Sequence, residues 1–285
     1  MTVMLQGPDS TVRIEVLGEE LRRLREACGL TLSQVVARIG ISESHLSRME
    51  SGKRVPRPED VAALLVVYGV TGEERLELLT FATRANQPGL WQRQGSFEAR
   101  FTTLKHLESR ATKLVSFEPL VIPGLLQTVP YAQAMVREVG MIDDPAQVDE
   151  RAVGRIHRQS VLRKHDAPRL IALVTESALR NVVGGREVMR DQLRYLAEVA
   201  KRPNVTLRVV PTIAGGHPGL NGPFLRLGFD DRQGVVYLGH LTSSLFLEER
   251  TEVAVYDRAI ATLLSVAISQ ENSLRLVVEM AASLG

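Results

Sequence analysis

Glu43, Ser44, Ser47 and Arg48 lie within one stretch of six residues and carry the donor and acceptor types that can read the edges of bases. A guanidinium pairs bidentately with guanine O6 and N7, a carboxylate accepts from cytosine N4, and a serine hydroxyl serves either way at several edges. Around them stand Thr31, Gln34, Ser42, His45, Lys53 and Arg54, whose hydroxyl, amide, imidazole and cationic groups suit phosphate oxygens. Contacts of that kind fix register and orientation and carry no sequence information. The two sets can act together only if the first faces outward from a short helix held in place by a second helix and a tight turn.

Local signals supply those elements. Thr31 can cap a helix and Gln34 can reach back as the other half of a capping box, with Leu32, Val35, Val36 and Ile39 as the buried face. Gly40 permits the left-handed backbone needed to leave that helix, and Ser42 can cap the next one. On this second helix Ile41, Leu46 and Met49 fall inward, which leaves Glu43, Ser44, Ser47 and Arg48 outward. Upstream, the spacing Leu17, Leu21, Leu24, Cys28 predicts a helix from about 16 to 28 with Cys28 in its core face. Arg22, Arg23 and Arg25, set among Glu19, Glu20 and Glu26, read as its solvated side. Downstream, Pro58 opens a helix reaching Tyr68 through Val61, Leu64 and Leu65, and Thr71 with Glu74 repeats the capping box before a fifth helix to about Arg84. The expectation is a flexible leader over 1–14, a five-helix domain over 15–86 and a turn-rich boundary at Asn86-Gln87-Pro88-Gly89.

The stretch from Gly29 to Lys53 resembles the XRE, or lambda-repressor-like, DNA-binding domain. Gln34, the Gly40 turn, Ser42 and the Met49-Glu50-Ser51-Gly52-Lys53 ending stand where that family uses them. The resemblance implies a helix-turn-helix whose second helix enters the DNA major groove. One departure is Val36, where the family commonly carries alanine; it implies a slightly wider helix crossing.

Residues 87–285 read as an α/β domain. The pattern Phe97, Phe101, Leu104, Leu107, Ala111, Leu114 predicts a long helix from Trp91 to about Leu114, with His106 on its exposed side. The proline-rich run from Phe117 to Thr128 reads as an ordered loop, since proline disfavours a central strand. Asp144 and Pro145 start a helix to about Arg163, whose Arg151, Arg155, Arg158 and Arg163 form a basic stripe of the kind usually solvated. Leu170–Val174, a helix from about 187 to 201, and Thr206–Val210 make a βαβ unit with parallel strands. Phe224–Phe229 and Val235–Leu238 read as an antiparallel hairpin, and two helices, about 251–268 and 271–284, finish the chain. The fold class expected is α+β overall: an all-α five-helix domain followed by an α/β domain with a small mixed sheet flanked by helices.

A search of this second part for reactive constellations gives little. Glu176 and Arg180 end the first strand of the βαβ unit, and His217 and Asn221 sit in a glycine-rich loop after the second, the end at which parallel sheets tend to bind ligands. These four are the candidate ligand or partner residues. Glu176 and Arg180 read equally well as a helix-start charge pair, and the loop leads into no helix N-terminus able to cradle a phosphate. His157, His165, His217 and His240 lack zinc-like spacing, and neither a GxSxG elbow nor a P-loop is present. The expectations are no catalytic residue, no metal, no cofactor and no enzyme.

Pro123–Ala132 (PGLLQTVPYA), Arg158-Gln159 with Leu162, Glu176–Arg180, Gln192-Leu193, Val209-Val210-Pro211 and Val236-Tyr237 together resemble the C-terminal half of a group of actinobacterial XRE regulators. That group is described as antitoxin-like, of toxin–antitoxin type and usually encoded beside a small partner protein. The resemblance implies double-stranded DNA and a small co-encoded protein as partners. Members often carry an acidic residue after the tyrosine strand, where this chain has Leu238-Gly239-His240, so a role tied to that carboxylate does not carry over.

Composition bounds the rest. At 285 residues with 44% hydrophobic and 24% charged content, the chain suits two globular domains. A net charge of +2 excludes a strongly polycationic binder and places any attraction to DNA in a local surface around Arg38, Arg48, Lys53, Arg54 and Arg57. No apolar run is long enough for a membrane span, and a single cysteine makes no internal disulfide, so a cytoplasmic protein is expected. The function expected is sequence-specific transcriptional regulation by a homodimer. The alternatives are a toxin-neutralising interaction protein with secondary DNA binding, and a degenerate enzyme with a DNA-binding arm.

Overall fold

Ile14, Leu17, Leu21 and Leu24 recur at helical spacing, and α1 (Val12–Ala27) buries all four. The computed structural model describes residues 12–83, 85, 91–93, 97–230, 232–241 and 243–285, which fall into two units that part near Gly89. Residues 86–89, read as the boundary, lie outside the described ones. Two readings of the first helix are corrected. Ile14, assigned to the leader, is a core residue, whereas Cys28 lies past the helix end and is exposed. The helix stops at Ala27 ahead of Gly29, whose φ of 66° no longer continues the register that would have buried the thiol.

Four helices complete this unit: α2 (Leu32–Ile39), α3 (Glu43–Glu50), α4 (Pro58–Val67) and α5 (Gly72–Thr83). Their inner faces meet in one core of Val35, Leu46, Met49, Val61, Leu64, Leu65 and Leu78, with Val36 packed partly against it. Helix α1 crosses close over the end of α3, because a Cβ on Gly18 would stand 2.3 Å from the Met49 carbonyl oxygen. Arg25 departs from the solvated reading of its neighbours. Its Nε and Nη2 donate to the two carboxylate oxygens of Glu50 at 2.8 and 2.9 Å, and its Nη1 donates to the Leu30 carbonyl at 2.8 Å. This buried fork fixes the C-terminal end of α3 to α1 and to the turn before α2.

The second unit is built on a seven-stranded mixed sheet, larger than the sequence predicted. Its first elements are β1 (Trp91–Arg93), α6 (Phe97–Arg110) and β2 (Lys113–Glu118). The single helix expected from Trp91 to Leu114 is therefore two strands and a shorter helix. Leu114 continues the helical spacing only by coincidence, since Leu114-Val115-Ser116-Phe117 favours a strand and Pro119 disfavours helix just before it. The prolines begin one residue after β2, so they end a strand they were expected to forbid.

There follow α7 (Val129–Ala134), α8 (Pro145–Arg158), β3 (Arg169–Thr175), α9 (Glu176–Arg180), α10 (Gly185–Val199), β4 (Val205–Val210), β5 (Phe224–Gly228), β6 (Val235–Gly239), β7 (Ser244–Leu247), α11 (Arg250–Val266) and α12 (Gln270–Ser283). The sheet order is β1-β7-β6-β5-β2-β3-β4. β2, β3 and β4 run parallel, in keeping with the βαβ reading, and β5 and β6 pair antiparallel as the predicted hairpin. Val115, Phe117, Leu173, Phe224 and Val236 form a core with Val253, Ile260 and Leu263 of α11. The alternate residues Leu114, Ala172 and Leu207 are fully buried as well, so both faces of the central sheet are covered. The free edge of β4 is closed by the α11–α12 junction: Ile268 N donates to Val209 O at 2.9 Å, and Val209 N donates to Ser273 Oγ at 2.9 Å. Covering an edge in this way removes a template for pairing with another chain.

Candidate nucleic-acid interface

The helix pair forms through the predicted caps. Thr31 Oγ1 accepts from Gln34 N at 3.3 Å while Gln34 Oε1 accepts from Thr31 N at 2.9 Å, a reciprocal capping box. Gly40 adopts φ 73° and donates its N–H to Val36 O at 2.9 Å, closing α2. Ser42 Oγ accepts from His45 N at 3.2 Å and starts α3. Each cap uses an oxygen as acceptor, so the Thr31 and Ser42 hydroxyl protons and the Gln34 amide N–H groups remain able to donate outward to phosphate.

Leu46 and Met49 are fully buried, and Glu43, Ser44, Ser47 and Arg48 are all exposed on the opposite side of α3. Among the described residues, Arg48, Lys53 and Arg54 are exposed with no acidic partner for their side chains. The turn that follows α3 is held by Gly52, whose φ is 67° and whose added Cβ would stand 2.7 Å from Glu15 Cγ. The outer face of α3 thus offers one anionic and three neutral or cationic hydrogen-bonding groups, flanked by uncommitted cations.

Two residues of the expected surface are engaged elsewhere. His45 is turned inward, its side chain 16% exposed and its Nε2 3.2 Å from Asp60 Oδ2, so it ties α3 to α4 rather than facing phosphate. The same carboxylate takes Arg57, with Nε at 3.0 Å and Nη2 at 3.0 Å, which holds Asp60 below the usual carboxylate range. Spacing alone does not reveal this: His45 and Asp60 are 15 residues apart, on different helices.

In the second unit the four candidate residues do not converge. Glu176 accepts from Arg180 Nε at 3.1 Å and from Thr212 N at 3.1 Å, and these contacts, Arg180 first, depress its pKa. It ties the ends of β3 and β4 together. Asn221 Nδ2 donates to Pro218 O at 3.0 Å and closes its own turn, while the His217 ring stands edge-on to Phe117 at 6.2 Å. No hydrogen bond among the described residues joins His217 or Asn221 to Glu176.

The sequence reading missed two features here. The first is the clamp on the proline-rich loop after β2. Fully buried Gln192 accepts from Thr128 N and donates to Leu126 O, each at 2.7 Å. Gln159 donates to Gln127 O at 2.6 Å, Gln127 to Ile122 O at 2.8 Å, and Tyr131 Oη accepts from Ile122 N at 3.2 Å. Irregular buried backbone needs such partners. The second is that α8 turns part of its basic stripe inward. Arg158 Nε donates to Glu108 Oε2 of α6 at 2.7 Å, with Glu108 almost fully buried. His106, expected on the surface, has a buried Nε2 without a hydrogen-bond partner, and burial, with Arg110 and Arg232 nearby, pushes its pKa down to about 4.

A capped helix pair with an outward-facing second helix, followed by a mixed-sheet unit, defines a helix-turn-helix protein with an appended α/β domain. The comparisons agree: residues 16–78 match the helix-turn-helix domain. Residues 101–279 match the domain of unknown function DUF5753, and the chain belongs to that family. The chain is similar to the HTH-type transcriptional repressor RghR of Bacillus subtilis (strain 168), 44% identical over 52 residues, which span 18% of this chain and 38% of that protein. In structure it is similar to TrmBL2, an archaeal chromatin protein, over 84% of this chain and 88% of that one. At 12% identity and a TM-score of 0.29, that likeness carries no argument. Among the described residues no helix is long and apolar enough to cross a membrane.

Proposed function

We propose that the protein is a sequence-specific DNA-binding transcriptional regulator. The observation that carries the reading is the outer face of α3, where Glu43, Ser44, Ser47 and Arg48 are exposed together beside Lys53 and Arg54. In this reading α3 enters the major groove and those four side chains meet base edges, Arg48 on guanine. Thr31, Gln34, Ser42, Lys53 and Arg54 take phosphates. His45, engaged with Asp60, is left out of that set. An eight-residue helix spans few base pairs, so a homodimer on two half-sites about one helical turn apart completes the site.

The DUF5753 unit acts in this proposal as the platform for dimerisation and for a small co-encoded partner protein, as in antitoxin-like regulators. It works by binding rather than by catalysis. A partner then shifts DNA occupancy only by its difference in affinity for the two states. The test is a titration of the purified chain against the DNA upstream of its gene and against a scrambled duplex, at two salt concentrations, with and without the small protein. Tight, sequence-selective binding that the small protein alters is the expected result. Weak, purely salt-driven binding beside a stable protein–protein complex would move the function to toxin neutralisation.

A further inference from the structure

Arg226 of β5 lies against the turn that joins β5 to β6. A Cβ on Gly234 would stand 1.7 Å from its Nη1, so a bare glycine is what leaves room for the guanidinium. Its Nε and Nη2 fork onto the two carboxylate oxygens of Asp257, on α11, at 3.0 and 3.3 Å. That pair ties the hairpin to the helix.

Beside it opens a cleft of about 420 Å³, lined by Arg226, Phe229, Arg232 and Gln233 of the hairpin and by Arg250 and Asp257 of α11. A volume of this size suits a small molecule rather than a bare ion. The charged side chains of the lining are three guanidiniums and one carboxylate, and both oxygens of that carboxylate are taken by Arg226. Arg232 and Arg250 are the cations beyond that pair.

Each is placed for a ligand in the cleft. The guanidinium carbon of Arg232 stands 3.8 Å from the centroid of the Phe229 ring, and stacking on the aromatic face fixes the plane of its fork. Arg250 is exposed, and among the described residues it makes no hydrogen bond or ion pair. It opens α11, where Arg250, Val253, Ala254 and Asp257 recur at helical spacing and turn one face to the cleft. No side chain caps this helix start, so the positive end of its dipole acts in the same sense as the guanidiniums. Forked donors of this kind match the several oxygens of a phosphate group.

We propose that this cleft binds a phosphorylated small molecule, its phosphate oxygens held by the guanidiniums of Arg250 and Arg232 and the rest of it filling the remaining volume. The site lies within the second unit and does not depend on the DNA reading.

The test is calorimetric titration of the full chain with inorganic phosphate and, separately, with phenyl phosphate at constant ionic strength. Phenyl phosphate should bind saturably and more tightly than inorganic phosphate, because the cleft is larger than the bare ion. Arg250→Ala should weaken that binding by about tenfold or more, while the melting temperature of the ligand-free protein stays unchanged because the side chain lies in solvent. Arg232→Gln should weaken it as well. Arg48→Ala should bind as wild type does, which separates the cleft from phosphate taken up on the outer face of α3. Absence of saturable binding, inorganic phosphate bound as tightly as the ester, or equal affinity in Arg250→Ala and wild type would overturn the proposal.

Discussion

Arg48 has no acidic partner among the described residues and stands in solvent on the outer face of α3, whereas Arg158 on α8 is forked onto the buried Glu108. The first unit turns inward the polar groups that hold its fold together, Arg25 with Glu50 and His45 with Asp60, and leaves its uncommitted cations outside. The second unit commits three inward-facing arginines to the fold: Arg158 to Glu108, Arg226 to Asp257, and Arg208 to the carbonyls at the end of α11. An exposed cation meets an extended polyanion with little desolvation, while a buried one is stable only when it is paired. The difference separates a surface whose cations are open to a macromolecule from a unit in which these arginines are spent on its own fold.

The comparison can be broken most severely at the buried pair of the first unit. Glu50→Ala leaves the Arg25 guanidinium sequestered without its partner and should destabilise that unit by about 3–5 kcal/mol, read by chemical denaturation. The melting of the second unit should stay unchanged. Gly52→Ala comes next, since φ 67° and the Glu15 side chain both oppose a Cβ; a loss of about 1–3 kcal/mol is expected in the same assay.

Changes on the outer face sharpen the contrast without touching the fold. Arg48→Ala should leave the denaturation midpoint within about 0.5 kcal/mol of wild type while relaxing base preference by about 1–3 kcal/mol at its contacted position. Lys53→Ala should weaken all sequences evenly and lower the salt slope by about one, measured by titration at several ionic strengths.

A further effect is on pH. The folded state keeps the Glu118 proton up to about 8, whereas the unfolded chain releases it near 4.5. This group therefore lowers stability progressively as pH rises between those values, and no further above them. Glu118 is faced by Arg155 and Arg158, so the check is the difference in melting temperature between wild type and Glu118→Gln across pH 4.5 to 8. A difference that is flat across that window would contradict the assignment.

The two units also differ in how far their sequence could be read. The helix-turn-helix signals are local: the Thr31–Gln34 box, the Gly40 turn, the Ser42 cap and the inward Leu46 and Met49 all act within four residues of their partners. The outward set on α3 follows from them. Arg25 and His45 escaped the reading because their partners lie 25 and 15 residues away on other helices. In the second unit, β2 was hidden by a helical spacing that ran on to Leu114 and by prolines that begin just after it. The Arg158–Glu108 pair joins α8 to α6 across 50 residues, and no local pattern marks it.

The central claim is that α3 reads bases, and it is tested most directly by selecting preferred duplexes from a random pool with wild-type protein and with Arg48→Ala. The account predicts a defined motif for wild type and a loss of preference confined to one or two positions for the variant, with the rest of the motif kept. A uniform fall in affinity across all sequences, with the motif unchanged, would show that Arg48 meets phosphate rather than base and would contradict the account.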